Sequence, residues 1–430
     1  MSGRLAGILI RLGVVLAVVG AITAGCLSTT GRFPGDSMDV RWNTPADRTD
    51  SDHGNGVWLS GDTLVRSRFD AVTGFDARTG KRAWEYVPPG RSEICGGDAD
   101  EAASVLVVVR DAEGRSEKAG ECATAVAIDL KDGRELWRTG IAYVAGDADS
   151  ERETVVAAGG VAVLGERVPR AVDVRTGKVR WTAAVPKDCS VGRFGAAERR
   201  VAAVLACGGV QVGTDEAPGS SGELHAAAFD SVTGALLWST PLSARRPLLA
   251  GGSEVRVVSA DPLVVAGPGA YYSFGKDGRA HPAIDYKGDY GAIGGTYQHT
   301  APVRFWVAVD DNRLYALGDH NSRYYDHTLV AFDLATGEVA WGGTDEHIDG
   351  VEAQGLLVQD GKVTVLTEAD EHYFADGDVF VFDAATGEEL DNRGFHDQVD
   401  GGDALFDYRG LLIVGEAGYR SSPFTAYERS

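Results

Sequence analysis

The sequence has few basic residues, few cysteines and hardly any methionine for its length. Its 430 residues contain 41 Lys and Arg against 63 Asp and Glu, a formal net charge of -22. This charge excludes nucleic acid and anionic membrane surfaces as main partners, because both require a basic surface. Only 2 Met stand beside 57 Gly. That composition favours a β-structure with many tight turns over a helix bundle.

An apolar run at residues 12–25 follows Arg4 and Arg11. The run is too short for a comfortable membrane span and is typical of an export signal. We assign 1–26 to a signal peptide or membrane anchor, 27–37 to a flexible tether and 38–430 to the folded domain.

Cys26 follows two small residues, as in a bacterial lipobox, where the cysteine carries the lipid. Thr23 stands where a lipobox usually has Leu, Val or Ile. A lipoprotein, an uncleaved N-terminal anchor and simple secretion therefore stay open. All three place the folded domain outside the cytoplasm, and the first two tether it to the outer face of the cytoplasmic membrane.

Four further cysteines remain, and an even number in an exported chain favours disulfides. No CxxC occurs and no His lies at zinc-ligand spacing from these thiols, so we expect no metal site there. Spacing alone leaves three connectivities open. We expect the local pairs, Cys95 with Cys122 and Cys189 with Cys207, because each would brace neighbouring strands of one repeat.

A ten-residue phrase, exemplified by FDLATGEVAW at Phe332–Trp341, recurs about every 45 to 58 residues, which is the period of propeller blades. Five full copies contain Asp76, Gly80 and Trp84; Asp129, Gly133 and Trp137; Asp173, Gly177 and Trp181; Asp230, Gly234 and Trp238; and Asp333, Gly337 and Trp341. A sixth copy retains Asp383 and Gly387 but has Asp391 in place of Trp. A seventh, at Ser273–Pro282, keeps only the turn.

Each position of the phrase predicts a structural role. The Asp carboxylate accepts hydrogen bonds from nearby amides and starts a turn, and the Gly supplies the positive φ that closes it. A Trp repeated at one structural position is expected to pack as a wedge between adjacent sheets. The phrase therefore predicts the outer hairpin of a four-stranded sheet. Inner hairpins are expected between the copies, at Thr154–Gly165, Arg200–Gly209 and Gly355–Thr367.

The two ends of the chain complete one another. Phe424–Ser430 resembles the strand before the repeat turn, and Asp39–Pro45, with Trp42, resembles the strand after it. Joining them leaves no sheet edge open. We predict an all-β, eight-bladed propeller of four-stranded antiparallel blades, closed by the N-terminal strand. Seven blades remain the alternative, if the segment around Gly278 is an insertion.

The five full copies resemble the repeat of the pyrroloquinoline-quinone-type propeller family, and the resemblance covers nearly all of the chain after residue 38. The excess of Arg over Lys fits the GC-rich coding of actinobacteria. The family includes quinoprotein alcohol dehydrogenases, which hold quinone and calcium, and the propeller lipoprotein of outer-membrane assembly, which binds partner proteins without a cofactor. The dehydrogenases' adjacent Cys pair has no counterpart here, and no position matches their calcium ligands or catalytic Asp.

We therefore expect a non-catalytic, monomeric scaffold without cofactor or metal, binding a protein, peptide or envelope component. The alternative is a quinone-dependent oxidoreductase. No G-x-S-x-G supports a hydrolase. The acidic segment Thr367–Phe380 has a high density of carboxylates, which could hold calcium, but it lacks the regular spacing of a calcium loop. Calcium binding there stays open. Asp310–Asp326, interpreted as an aromatic and acidic connection, is the expected partner surface because Tyr and Arg anchor interfaces.

Overall fold

The computed structural model describes residues 37–46, 54–111, 122–142, 155–209 except 167, 222–242, 255–293 except 268, 306–321, 326–348, 353–367, 377–395, 399, 402, 404–416 and 422–429. Regular structure in these residues is β-strand, apart from one 3-10 turn at Pro89–Arg91. No helix among them is long and apolar enough to cross a membrane. The prediction of an all-β fold is confirmed.

The first part of the chain forms strand β1 and four antiparallel sheets, which we call units 1 to 4. Strand β1 spans Ser37–Asn43. Unit 1 contains β2 (Gly54–Ser60), β3 (Thr63–Arg68), β4 (Val72–Asp76) and β5 (Arg82–Tyr86). Unit 2 contains β6 (Ile94–Asp100), β7 (Val105–Arg110), β8 (Thr124–Asp129) and β9 (Glu135–Gly140). Unit 3 contains β10 (Val155–Ala158), β11 (Val161–Leu164), β12 (Arg170–Asp173) and β13 (Val179–Thr182). Unit 4 contains β14 (Cys189–Ala196), β15 (Arg200–Cys207), β16 (Glu223–Asp230) and β17 (Leu236–Pro241).

The rest of the chain forms units 5 to 8. Unit 5 contains β18 (Arg256–Ala260), β19 (Leu263–Gly267), β20 (Ala270–Phe274) and β21 (Ile284–Asp285). Unit 6 contains β22 (Lys287–Gly288), β23 (Gly291–Ile293), β24 (Val307–Asp310), β25 (Arg313–Asn321), β26 (Asp326–Asp333) and β27 (Val339–Ile348). Unit 7 contains β28 (Ala353–Gln359), β29 (Lys362–Thr367), β30 (Asp378–Asp383) and β31 (Glu389–Phe395). Unit 8 contains β32 (Ala404–Tyr408), β33 (Leu411–Gly415) and β34 (Phe424–Arg429), with β1 as its fourth strand.

The units are arranged in a ring. Apolar clusters fill the spaces between successive sheets and hold neighbouring units together. One cluster joins Val105 and Val107 of unit 2 to Val155 and Leu164 of unit 3. The first strand of each unit contacts the first strand of the next from unit 1 to unit 8, with β24 taking that place in unit 6. A last cluster, which includes Leu64 and Phe75 of unit 1 and Tyr408, Ile413 and Phe424 of unit 8, closes the ring. The fold is a β-propeller.

Strand β1 closes the last unit as the sequence predicts. It pairs antiparallel with β34 from Met38 opposite Arg429 to Asn43 opposite Thr425. It also pairs parallel with β31 at Ser37 and Met38, so units 7 and 8 form one eight-stranded sheet. Because of this fusion and the two extra strands of unit 6, the count of eight blades stays a prediction.

The repeat turns have the predicted chemistry. In unit 4 the Asp230 carboxylate accepts the amides of Val232 (3.1 Å) and Thr233 (2.8 Å) and the Thr233 hydroxyl (2.7 Å). These bonds lower the pKa of Asp230, with the Thr233 hydroxyl as the main cause. Six outer hairpins share a bulge just before the Trp position, which Asp391 occupies in unit 7. A bulge twists an exposed edge and discourages pairing with other chains.

The repeat Trp side chains are the wedges between units. A Cβ placed on Gly133 would lie 2.5 Å from the ring of Trp84, which belongs to the preceding unit. The Trp84 indole N-H donates to the carbonyl of Leu130 at 3.0 Å. The same arrangement joins Trp137 to Gly177, Trp181 to Gly234 and Trp341 to Gly387, with indole bonds to Val174, Ser231 and Ala384. Removing such a buried Trp costs about 3–5 kcal/mol.

Two further wedges lack the indole hydrogen bond. Trp42 of β1 packs on Gly80 of unit 1, and Trp238 packs on Gly278 of unit 5. Neither indole N-H has a hydrogen-bond partner among the described residues. The Trp42 contact closes the ring, and the Trp238 contact identifies the segment around Gly278 as a repeat turn and not an insertion.

Two copies of the repeat carry no Trp. The structure shows what fills the space between neighbouring units, which we call a seam, at each of these places. Between units 5 and 6, Pro282 takes the Trp position, and Ser273 donates to the Leu334 carbonyl at 2.7 Å. In unit 7, Asp391 pairs with Arg393 (2.9 Å) and with Arg429 of unit 8 (3.5 Å). Unit 8 has no repeat turn, because its third and fourth strands come from opposite ends of the chain. A Trp there would have no glycine to pack on.

One predicted inner hairpin is wrong. Residues 200–207 form the single strand β15, which pairs with β14 and β16 over its whole length. The apparent bend residues, Gly208 and Gly209, follow that strand. The hairpins predicted at Thr154–Gly165 and Gly355–Thr367 are present as β10–β11 and β28–β29. Strand β1 begins at Ser37, one residue before the predicted domain boundary.

The tryptophan contact predicts unequal costs for two glycine substitutions. Gly133 (φ +73°) and Gly61 (φ +58°) both have positive φ, but a Cβ on Gly61 would meet nothing within 4 Å. We expect Gly61→Ala to lower the free energy of unfolding by about 1–2 kcal/mol, the cost of the left-handed conformation. Gly133→Ala should cost about 1–3 kcal/mol more, because the methyl group overlaps Trp84. Urea unfolding followed by Trp fluorescence measures both; equal costs would contradict the wedge.

Candidate functional site

The two faces of the propeller differ. The turn face carries the turns between strands one and two and between strands three and four of each unit. Hydrogen bonds join these turns in six units, as from the Leu130 amide to the Ser104 carbonyl (3.0 Å) and from the Ala384 amide to the Gly361 carbonyl (2.9 Å). The described strand ends that border residues 112–121, 143–154, 210–221 and 243–254 lie on the opposite face. We call it the loop face.

Both disulfides lie at the loop face. Cys95 is bonded to Cys122 and Cys189 to Cys207, which are the predicted pairs. The first joins the start of β6 to the segment before β8, and the second joins the two ends of β14 and β15 that meet in register. Each bond therefore ties two strand ends where a loop-face connection begins or ends. Cys26 lies outside the described residues.

Unit 6 extends farther at the loop face than its neighbours. Strand β25 continues past its pairing with β24, which ends at Ala316, and then pairs with β23 at Gly318 and Asp319. Tyr290, in the turn after β22, holds this extra hairpin in place: its carbonyl accepts the Thr328 hydroxyl at 3.2 Å, and its ring packs edge-on against Phe332. The extension gives the loop face a raised side at unit 6.

The segment Asp310–Asp326 is predicted to be a connection that offers a partner surface. The prediction of a connection is wrong. Most of the segment is strand β25, and Tyr315 is buried, donating from its hydroxyl to the Ala384 carbonyl at 3.1 Å. The continuous apolar run at Leu314–Leu317 already indicates a buried strand. Residues 322–325 of this segment, and most of the acidic segment Thr367–Phe380, lie outside the described residues.

Several charged side chains are buried within strands, and sequence reasoning missed them. Arg110 is fully buried at the loop-face end of β7, where it donates to the Ser92 hydroxyl (2.9 Å) and the Asp111 carbonyl (3.0 Å). Arg193 lies on the inner strand β14 and is 8% exposed. An Arg inside an otherwise apolar or Gly-rich strand is the signal that identifies such positions.

A groove of about 370 Å³ opens on the turn face between units 3 and 4. Its polar lining includes Arg175 and Arg180, and Val232 contributes an exposed apolar edge. Arg175 pairs with Asp129 at 2.7 Å, and Arg180 pairs with Asp173. Because each guanidinium already has a carboxylate, the groove offers no free cation to a ligand.

One group of metal-ligating residue types converges in the described part of the chain, formed by Cys95, Asp111 and Cys122. The two sulfurs are bonded to each other at 2.02 Å. A disulfide offers no thiolate, and thiolate is the form that binds metal. The group is therefore not a metal site in this oxidised state.

The inner strands do not fit a calcium-bound quinone. Calcium needs six to eight oxygen ligands at one point. The Asp98 carboxylate accepts the amides of Ala99 (3.0 Å) and Ala157 (2.8 Å), and that of Asp100 accepts the amides of Ala103 (2.9 Å) and Gly160 (2.7 Å). Both carboxylates thus hold unit 2 to its own turn and to unit 3. Glu101 lies near both carboxylates, and burial and then the two negative charges raise its pKa, but the ligand atoms of these three described residues do not converge on one point.

Comparison with known proteins is consistent with this architecture. The family model described as outer membrane protein assembly factor BamB matches residues 36–212 and 220–411. The chain belongs to this family. No curated protein sequence matches it significantly.

Solved structures share the fold at low sequence identity. BamB from Moraxella catarrhalis is 16% identical with a TM-score of 0.53, covering 90% of this chain and 99% of that chain. Quinohemoprotein alcohol dehydrogenase from Pseudomonas putida is 14% identical with a TM-score of 0.52, covering 91% and 76%. A computationally designed protein, Ika8, is 14% identical with a TM-score of 0.54 and covers 90% and 98%. An assembly factor and a dehydrogenase thus share this fold, which by itself does not choose between their functions.

The groove residues give a pH-dependent prediction. The Arg180 hydrogen bond, with help from Thr176, lowers the pKa of Asp173 to about 2. Because the folded pKa is depressed, the pair stabilises the protein at neutral pH, and that stabilisation disappears as the pH falls from about 4 to about 2. Arg180→Met should raise the Asp173 pKa towards its usual value and remove less than about 1 kcal/mol at pH 6.

The measurement is an NMR titration of the Asp173 carboxyl, combined with urea unfolding at pH 6 and pH 2.5. Arg134→Met is the matched control, since Arg134 pairs with Asp132 at the exposed turn of unit 2 at 3.7 Å. An Asp173 pKa that is the same in Arg180→Met and in the parent chain would contradict the assignment.

Proposed function

We propose that the chain is a non-catalytic scaffold outside the cytoplasm, held at the membrane by its N-terminal segment, that binds an envelope protein or peptide through the loop face. The observation that carries the proposal is the difference between the two faces. The turn face consists of short, mutually hydrogen-bonded turns. The loop face carries both disulfides, the extra hairpin of unit 6 and the strand ends that border the longest connecting segments of the sequence, and binding residues concentrate on connecting loops.

Membership of the BamB family supports a protein partner, because the description of that family names it as an outer-membrane assembly factor. Two disulfides support a location outside the cytoplasm, since disulfides persist in oxidising compartments. The export signal and the lipobox-like Cys26 support the tether.

The non-catalytic part of the proposal is supported by the inner strands. Asp98 and Asp100 are engaged by backbone amides of units 2 and 3, so they are poorly placed to coordinate calcium. A propeller that holds its sheets together with these carboxylates serves better as a rigid platform than as a metal cage.

Photo-crosslinking tests the binding face. A photoreactive amino acid placed at the exposed loop-face positions Glu93, Lys187 and Lys287 should yield adducts with one and the same envelope protein. The matched turn-face positions Lys131, Glu198 and Asp311 are equally exposed and should yield none. The readout is immunoblotting and mass spectrometry of the adducts from intact cells. Adducts from the turn-face set alone would overturn the proposal.

Cofactor reconstitution tests the absence of catalysis. We expect the full chain, purified in detergent and mixed with pyrroloquinoline quinone and Ca²⁺, to show neither bound-quinone absorbance nor alcohol-dependent dye reduction. A quinoprotein alcohol dehydrogenase reconstituted in the same way is the positive control. Saturable quinone binding with turnover would replace the scaffold by the oxidoreductase.

A further inference from the structure

Arg193 is a buried charge with no partner in the described part of the molecule. It is 8% exposed. No hydrogen bond or ion pair joins its guanidinium to any described residue. An Arg stays protonated at every physiological pH, so burial cannot neutralise it. A mostly buried charge with only narrow contact to solvent is unfavourable without a counter-ion, and the position therefore suits an anion.

The register of unit 4 shows where the Arg193 side chain lies. Arg193 is opposite Val204, and such register partners point to the same side of a sheet. Val204 belongs to the apolar cluster that also contains Val255 and Val265 of unit 5. A Cβ on Gly195, two residues further along the same side, would lie 2.8 Å from Val257 of unit 5. Arg193 therefore projects into the seam between units 4 and 5.

Three other units have glycine at the equivalent position, and unit 5 has Ser259. Arg193 is the first paired residue after a bulge in the inner strand, and Gly56, Gly96 and Gly355 occupy this place in units 1, 2 and 7. A Cβ on Gly355 would come within 2.9 Å of Leu405 in the next unit. The seam between units 7 and 8 thus excludes even a methyl group at this position, whereas the seam between units 4 and 5 holds a whole arginine side chain. The latter seam therefore accommodates a long side chain at this point, although a Cβ on Gly195 nearby would already meet Val257.

Arg193 is reached from the loop face. Its strand begins there at Cys189, which is bonded to Cys207 at the end of the neighbouring strand. Its nitrogens are not among the fully sealed polar atoms that lack a partner, so solvent has narrow access to them. The disulfide holds the strand ends beside the opening, which keeps the guanidinium in a defined place.

We propose that Arg193 binds the C-terminal carboxylate of a peptide that enters the seam between units 4 and 5 from the loop face. A carboxylate matches the planar fork of a guanidinium with two parallel hydrogen bonds. The net charge of -22 repels strongly acidic ligands, so a single terminal carboxylate fits better than a polyanion. The peptide as the source of the carboxylate rests on the proposed function; the anion site does not.

Thermal unfolding of the full chain in detergent tests the site. The probes are acetyl-Ala-Ala-Ala with a free C-terminus, the same peptide as its C-terminal amide, and acetate, all at one ionic strength. The free-acid peptide should raise Tm by about 2 to 4 °C at a concentration about 100 times its Kd. The amide, which lacks the charge, should leave Tm unchanged.

Two variants make the test specific. Arg193→Met should abolish the response to the free acid and should itself raise Tm without peptide, because it removes an uncompensated buried charge. Arg199→Met, an exposed arginine of the same unit at the turn face, should respond as the parent chain does.

Three results would overturn the proposal. The first is an equal response to acid and amide peptides. The second is a response retained in Arg193→Met, or a lower Tm of that variant without peptide, which would reveal an acidic partner within the chain. The third is acetate matching the peptide at equal concentration, which would replace the peptide by a small carboxylate. None of these bears on the crosslinking at Glu93, Lys187 and Lys287, so the scaffold proposal is judged separately.

Discussion

The contact between a tryptophan of one unit and a glycine in the turn of the next is the interaction on which the rest of the structure depends. It places a large ring where a side chain on the glycine would overlap it, as for Trp84 and Gly133. The residue after the repeat Asp makes hydrogen bonds both within its own unit and to the preceding unit. In Leu130, the amide donates to the Ser104 carbonyl of its own unit, while the carbonyl accepts the Trp84 indole of the preceding unit. Position within a sheet and spacing between sheets are thus determined by one turn.

The same constraint explains where the repeat changes. Unit 7 has Asp391 in place of the Trp because the following unit has no repeat turn, its outer strands coming from the two ends of the chain. Asp391 pairs instead with Arg429 across that boundary. Between units 5 and 6, where Pro282 replaces the Trp, the Ser273 hydroxyl takes over the hydrogen bond to the Leu334 carbonyl. Loss of the motif in these copies reflects a change of partner and not decay of the fold.

A ring held together at the turn face and in the seams leaves the loop face open to variation. The described repeat contacts lie at the turn face and between the sheets, so the segments that connect strands at the loop face can change without disturbing the wedges. The disulfides at Cys95 and Cys189 brace strand ends beside these connections. Arg193 stands out against this background, because it occupies a position that glycine holds in units 1, 2 and 7 and brings a charge into an apolar seam.

The sequence by itself determined the all-β propeller, the outer hairpins and the closure through Trp42. Each of these follows from interactions between residues at a constant spacing, which a repeat displays directly. Tertiary structure alone decided which turn each Trp packs against, the fusion of units 7 and 8, the burial of Tyr315 and the single strand at residues 200–207. Most importantly, it decided that Arg193 faces a seam instead of solvent. That outcome depends on how closely two sheets approach, a distance set by side chains far apart in the chain and invisible in any local pattern.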